Sequence, residues 1–172
     1  MKLLFSLLIL SLSYNSFACE CECSGICDFK TISTNMEFVI LVKVISYDDY
    51  LNNSEDDIMG YNKNIPNSMI VEVIKKYKGV ENRTRIKIWG DNGAQCRPYI
   101  ANFKLNNYYL MSPNYIENSK GSVNELKTDY ELSSCITSYL EFDFEKKVAY
   151  GDFTKEIQEI SLKDFEDFIL KK

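Results

Sequence analysis

Four of the six cysteines of this chain, Cys19, Cys21, Cys23 and Cys27, crowd into nine consecutive positions near its start, while Cys96 and Cys135 stand alone far downstream. A cross-linked chain end with two distant anchor points restricts the fold more than any other pattern in the sequence. The segment ahead of the cluster reads as a secretory leader. Lys2 supplies a positive start, Leu3 to Leu12 are mostly apolar, and Ser16, Phe17 and Ala18 place small residues at both positions that a signal peptidase reads. Cleavage after Ala18 predicts a signal peptide over 1–18 and a mature chain that begins at Cys19. The apolar run is far shorter than the ~20 residues that cross a bilayer, and nothing later in the chain resembles a membrane-spanning run, so no transmembrane segment is expected. A lipid on Cys19 is disfavoured, because Ser16 and Phe17 replace the usual aliphatic residue with a small one and a bulky ring. The expected location is secreted or extracytoplasmic.

Residues 19–172 amount to one domain, long enough to bury a core. The net charge of −5 carries no long basic tract to offset it, and such a surface repels phosphate backbones, so no nucleic-acid partner is expected. Arg83, Arg85 and Lys87 alternate along an apparent strand, which reads as one solvated face. The chain has no histidine. That removes the commonest general base and the commonest metal ligand together and disfavours an enzyme. The carboxylates are scattered without the spacing of an acid–base pair. No cofactor is implied.

In an exported chain, six cysteines read first as three disulfides. Successive side chains of an extended segment diverge, so Cys19 and Cys21, or Cys21 and Cys23, should not bond each other. Ser24, Gly25 and Ile26 form a turn-capable spacer that could join Cys23 to Cys27, leaving Cys19 and Cys21 for the two distant cysteines. Bridges closing loops this long restrict the unfolded chain by roughly 4 kcal/mol each. A thiolate site for copper(I) or zinc is the competing reading, but C-x-C-x-C is not the usual knuckle spacing and an oxidising compartment favours bridges.

The middle of the chain reads as strands. Met36 to Ile45 is an almost unbroken apolar run fit for a central strand. Ser68 to Tyr77 alternates, with Met69, Val71 and Val73 on one side, and meets a turn at Lys78 and Gly79. Arg83 to Trp89, Tyr108 to Met111 and Ile136 to Phe142 are further strands, and Asp48 to Pro66 is a long polar surface loop. Only the end of the chain looks helical: Ser161 with Asp164 resembles a capping box, and Leu162, Phe165, Phe168 and Ile169 recur at helical spacing, predicting a helix over about 161–171 packed on the sheet. The expected fold is mainly β: an OB-like, five- to six-stranded Greek-key barrel with a C-terminal helix. Tyr99, Tyr108 and Tyr115 are candidates for exposed aromatics, and Asn52-Asn53-Ser54 and Asn82-Arg83-Thr84 are sequons that matter only in a glycosylating host.

Cys19-Glu20-Cys21 behind the leader, the strand Phe38 to Val44, the strand-turn Val71 to Gly79, then Cys96, Tyr108 to Leu110 and Cys135 follow one another in an order that resembles the netrin-like domain of the tissue inhibitors of metalloproteinases. The resemblance spans about Cys19 to Phe142 and lacks that family's second cysteine-rich domain. It implies bridges Cys19–Cys96 and Cys21–Cys135. Cys23–Cys27 departs from the family's third bridge, and Cys21-Glu22-Cys23 fits the spacing to the first strand about as well, so the register of the C-x-C pair stays open. The resemblance also implies that Cys19 is the inhibitory residue: its free α-amine and carbonyl oxygen chelate the catalytic zinc of a secreted metalloproteinase, and the inhibitor binds no metal in isolation. Glu20 then takes the position that enters the protease's specificity pocket, where the family places a small residue such as serine or threonine. Burying its carboxylate in an apolar pocket costs several kcal/mol, which disfavours the usual targets, whereas a protease with a basic pocket could still accept Glu20. The alternative is a secreted binding or structural module that uses the same fold without inhibiting anything.

Overall fold

The computed structural model describes residues 21, 25–51, 65–93, 95–117 and 122–171. The leader 1–18, Cys19, Glu20, Cys23 and the sequon at Asn52 lie outside the described residues. The organising element is strand β1 (Val39–Tyr47), which is apolar from Val39 to Val42 because both of its faces are buried there. Ile40, Val42 and Val44 point into one core, and Val39 and Leu41 point into a second. On one side β1 pairs antiparallel with β4 (Ser68–Lys78), and three register shifts along that pairing bend and coil the strand. Beyond β4 lies β5 (Arg85–Trp89), antiparallel to it. The other flank of β1 is held by β6 (Tyr108–Met111).

The first core is enclosed by this curved face. Met69 and Val71 of β4, Ile86 and Ile88 of β5, and Tyr109 and Met111 of β6 meet the even-numbered residues of β1 there. A 3₁₀ turn, Ile100–Asn102, and the following Phe103 fill one end. The far side is built by β7 (Asn114–Tyr115) and β8 (Tyr130–Glu131), which pair antiparallel with each other, while β8 runs parallel to β5.

The second core lies on the opposite face. Here β9 (Tyr139–Asp143), β10 (Val148–Tyr150) and β11 (Glu159–Ser161) extend the sheet past β6 as an antiparallel meander. Two helices cover them. One is α1 (Phe29–Asn35), capped by Asp28, whose Oδ1 accepts from the Thr31 N–H at 2.9 Å. The other is α2 (Leu162–Leu170), where Ser161 Oγ accepts from the Asp164 N–H at 3.1 Å, as the capping box predicts. Phe165 is fully buried among Tyr77, Phe29 and Phe153, with ring centroids at 5.2, 6.1 and 6.4 Å. The C-terminal stripe is therefore a packing face.

The protein is mainly β, as expected, but its ladder departs from the expected closed barrel. A nine-stranded mixed sheet runs in the order β11-β10-β9-β6-β1-β4-β5-β8-β7 and ends at two open edges, with a separate pair formed by β2 (Tyr50–Leu51) and β3 (Ile65–Pro66). The added strands are two or three residues long, too short for a period-two signal to register. A helix at Phe29–Asn35 was also not expected, because the β-branched Thr31, Ile32 and Thr34 argue against one. Burial of Phe29 and Ile32 overrides that propensity. The strand expected over Ile136 to Phe142 begins only at Tyr139. Ahead of it, Ser133 folds the chain into a turn, its Oγ accepting from the Cys135 N–H and its carbonyl from the Ser138 hydroxyl. The turn expected at Gly79 is required: its φ is +82°, and a Cβ there would lie 2.7 Å from the Phe38 ring and 2.8 Å from the Glu37 carbonyl.

Candidate functional site: the stapled amino-terminal segment

The turn between β8 and β9 is the anchor for everything near the chain start. Cys135, inside that turn, is disulfide-bonded to Cys21 across 114 residues of sequence, with Cα atoms 4.9 Å apart. The Thr137 N–H donates to the carbonyl of Cys27 at 2.9 Å, and the Ser134 N–H donates to the carbonyl of Cys96 at 2.9 Å. Cys21, Cys27 and Cys96 thus converge on the four residues Ser134 to Thr137. Cys27 and Cys96 are themselves disulfide-bonded. Cys19 and Cys23, which the sequence reading assigns as their partners, lie outside the described residues. Among the described residues no cysteine is free and no cluster of histidine, cysteine and carboxylate side chains could hold a metal ion.

Rigidity continues on both sides of this junction. Asp28 caps α1 immediately after Cys27, and the N–H groups of Phe29 and Lys30 donate to the carbonyls of Asp152 and Phe153 at 3.0 and 2.9 Å. The chain leaving the cysteine cluster is therefore fixed to the second core within two residues. Next to Cys96, Arg97 is withdrawn from water at 5 % exposure, with Nη1 donating to Glu125 at 2.6 Å and Nε to Glu131 at 2.7 Å. A buried guanidinium bridging two carboxylates holds its segment in one orientation. Ahead of it, Asp91 Oδ1 accepts from the N–H groups of Gly93 and Gln95, both at 2.9 Å. Gly90 admits no side chain, since a Cβ would lie 2.5 Å from Ile100 Cγ1.

A cavity of about 650 Å³ opens beside Arg97 and Gln95, walled by Phe38, Tyr115 and Glu131. Its aromatic side is a stack: Phe38 and Tyr115 each lie against Tyr130, at 5.1 and 4.6 Å. Behind the stack, the buried Glu81 accepts from the Tyr130 hydroxyl at 2.8 Å and from Arg83 at 2.7 and 3.0 Å. The Arg83 hydrogen bonds outweigh burial and hold the Glu81 carboxyl down to about 2, and burial together with Tyr115 and Glu81 pushes the Tyr130 phenol up.

The basic residues expected to form one solvated face are not alike. Arg85 is exposed, but Arg83 is committed to Glu81, and Lys87 pairs with Asp48 and Asp49 at 2.6 and 2.8 Å above the Trp89 ring. For Asp49, burial opposes ionisation, yet the bonds from Lys87, Asn124 and Ser68 prevail and lower its value. Tyr99 and Tyr115 are half exposed, whereas Tyr108 is partly covered by Phe144. The sequence reading missed Arg97, Glu125, Glu131, Ser133 and Ser138. An arginine directly after a cysteine and before a proline was the available signal; its acidic partners have none.

No helix among the described residues is long and apolar enough to cross a membrane. No family model and no curated protein matches the chain.

Proposed function

We propose that the protein is an exported inhibitor of zinc metalloendopeptidases, acting through the α-amine and carbonyl oxygen of Cys19 as a two-atom ligand for the protease's zinc. The observation that carries this reading is the Cys21–Cys135 bridge, one of the two pairings that resemblance to the tissue inhibitors of metalloproteinases implies. Further support comes from the disulfide-bonded state of Cys96 and from the hydrogen bonds that tie Cys27 and Cys96 to the Cys135 turn. A chain end held in advance of binding loses little ordering entropy when the enzyme arrives. The cavity beside Arg97 gives the adjacent surface a concave partner for a protease rim. Without histidine the chain lacks the commonest general base, which fits a protein that acts by blocking another centre's chemistry.

The fold reading that accompanies this function is an OB-like barrel of netrin type. Residues 108–115 supply β6 beside β1 and β7 beside β8, with only Ser112 and Pro113 between them, so one bent segment touches both ends of the run β1-β4-β5-β8. The first core draws its side chains from these strands, and the parallel pairing of β5 with β8 departs from a simple antiparallel meander, which supports the OB-like reading.

Titrating the mature protein against a panel of secreted metalloproteinases tests the function, beside a form with one alanine added ahead of Cys19. Stoichiometric inhibition by the first and none by the second is expected. Equal potency of the two forms refutes chelation, and no inhibition by either form refutes the inhibitor reading and leaves a secreted binding module.

A further inference from the structure

The second core leaves two large apolar side chains half in water: Phe144 is 49 % exposed and Ile74 41 %. They stand at the mouth of the same cavity, of about 270 Å³, on the face that carries the helices. Its deeper walls are Leu41, Tyr77, Phe142 and Leu162, from three strands and the first turn of α2. The buried residues of α2 are Phe165 and Ile169, and the notch lies at the start of the helix, lined by Leu162 together with Phe144 and Lys147 from the β9–β10 turn.

Three charged groups border the notch: Lys75, Glu166 and Lys147. Two of them are committed. Lys75 Nζ meets Glu166 Oε1 at 2.8 Å, and the Tyr77 hydroxyl donates to the same oxygen at 3.2 Å. Lys147 has no carboxylate within ion-pair distance among the described residues, although Glu166 feels its charge. It is nevertheless held in position: its backbone occupies the left-handed region at φ 56°, and its carbonyl accepts from the Leu162 N–H at 2.8 Å. In a chain of net charge −5, an exposed lysine whose backbone is fixed at the lip of an apolar notch offers that notch a positive charge.

We infer that this notch binds a small amphipathic carboxylate, with the apolar tail lying against Leu41, Phe142 and Phe144 and the anionic head at Lys147. An apolar cavity of roughly 150 Å³ accepts a benzene ring. The volume here holds a short acyl chain and falls below the ~300–1,000 Å³ of drug-sized sites. A cationic head would face Lys75 and Lys147, and the one nearby carboxylate is already satisfied by two donors. A neutral head leaves Lys147 without a partner. The notch shares no residue with the Cys21–Cys135 staple and stands independently of the inhibitor reading.

NMR titration of the mature protein with octanoate, 1-octanol and octylammonium tests it. Saturable octanoate shifts confined to the amides of Ile74, Phe144, Lys147 and Leu162 are expected, with Kd of about 0.1–1 mM and octylammonium at least tenfold weaker. Lys147→Asn keeps a residue that tolerates the left-handed region and should weaken octanoate about three- to fivefold while leaving octanol unchanged; Lys147→Arg should restore it. Phe144→Ser should weaken all three probes, and thermal melts of these surface variants should match the parent. Unsaturable or scattered shifts, octylammonium binding as tight as octanoate, or an unchanged octanoate affinity in Lys147→Asn would each overturn the site.

Discussion

Arg97 and Glu125 meet at 2.6 Å with both side chains withdrawn from water, 5 % and 1 % exposed, while Glu131 on the other side of the guanidinium keeps 33 %. The pair links the residue after Cys96 to the segment that precedes β8. Arg97→Ala strands a buried carboxylate and should cost about 3–5 kcal/mol, whereas the double change Arg97→Met/Glu125→Leu should recover most of that loss. Urea denaturation checks this through the midpoint, with the slope unchanged. Arg97→Lys should rescue poorly, because one ammonium cannot reproduce the two-sided fork.

Cys21 and Cys135 close a loop of 114 residues, long enough that the entropic effect of the bridge is near its ceiling. Cys21→Ser/Cys135→Ser should therefore lose about 2–5 kcal/mol. The same variant frees the chain end ahead of α1. In the protease titration it should lose potency even at temperatures where circular dichroism shows it fully folded. Retained potency would mean that this staple does not preorganise the inhibitory end.

The central strands were legible because burial imposes a period. Two-faced burial makes Phe38 to Val42 continuous, one-faced burial makes Ser68 to Val73 alternate, and the capping serine of α2 lies where the sequence places it. What could not be read depends on distant partners. Phe29 anchors a helix only because Phe153 and Phe165 wait for it, and β7 and β8 are strands only because they lie beside each other and β5. The staple was half legible. The pairing of Cys21 with Cys135 follows the family resemblance, but the turn that presents Cys135 is made by Ser133 and Ser138, whose hydroxyls carry no pattern.

Glu81 gives the fold an acid limb. Hydrogen bonds from Arg83 and Tyr130 bring its carboxyl from 4.5 down to about 2, so the folded state binds its proton less readily than the unfolded chain. The stability it contributes is complete above pH ~4.5 and is lost as pH falls through ~2, amounting to about 2–3 kcal/mol. Glu81→Gln should be less stable than the parent at pH 7, and the gap between the two should close between pH 4.5 and 2. Chemical denaturation at a series of pH values measures that gap. A constant gap across the window would show that Glu81 acts through packing and not through its charge.

Phe165 joins the two helices to one aromatic cluster, since its ring lies 6.1 Å from Phe29, 5.2 Å from Tyr77 and 6.5 Å from Phe168. It is fully buried, and truncation to alanine should cost about 3–5 kcal/mol, with leucine at the same position retaining roughly half. The distribution of the damage is the sharper test. Phe29 is in α1, two residues after Cys27, and its ring packs on Phe165, so a cavity at that spot loosens α1 as well as α2. Native-state hydrogen exchange of Phe165→Ala should show faster exchange in Thr31 to Met36 and in α2, with β1 and β4 protected as in the parent. Uniform loss of protection across the sheet would mean that the two cores unfold as one unit. In that case the helical face is not the separable layer over β9 to β11 that its packing describes.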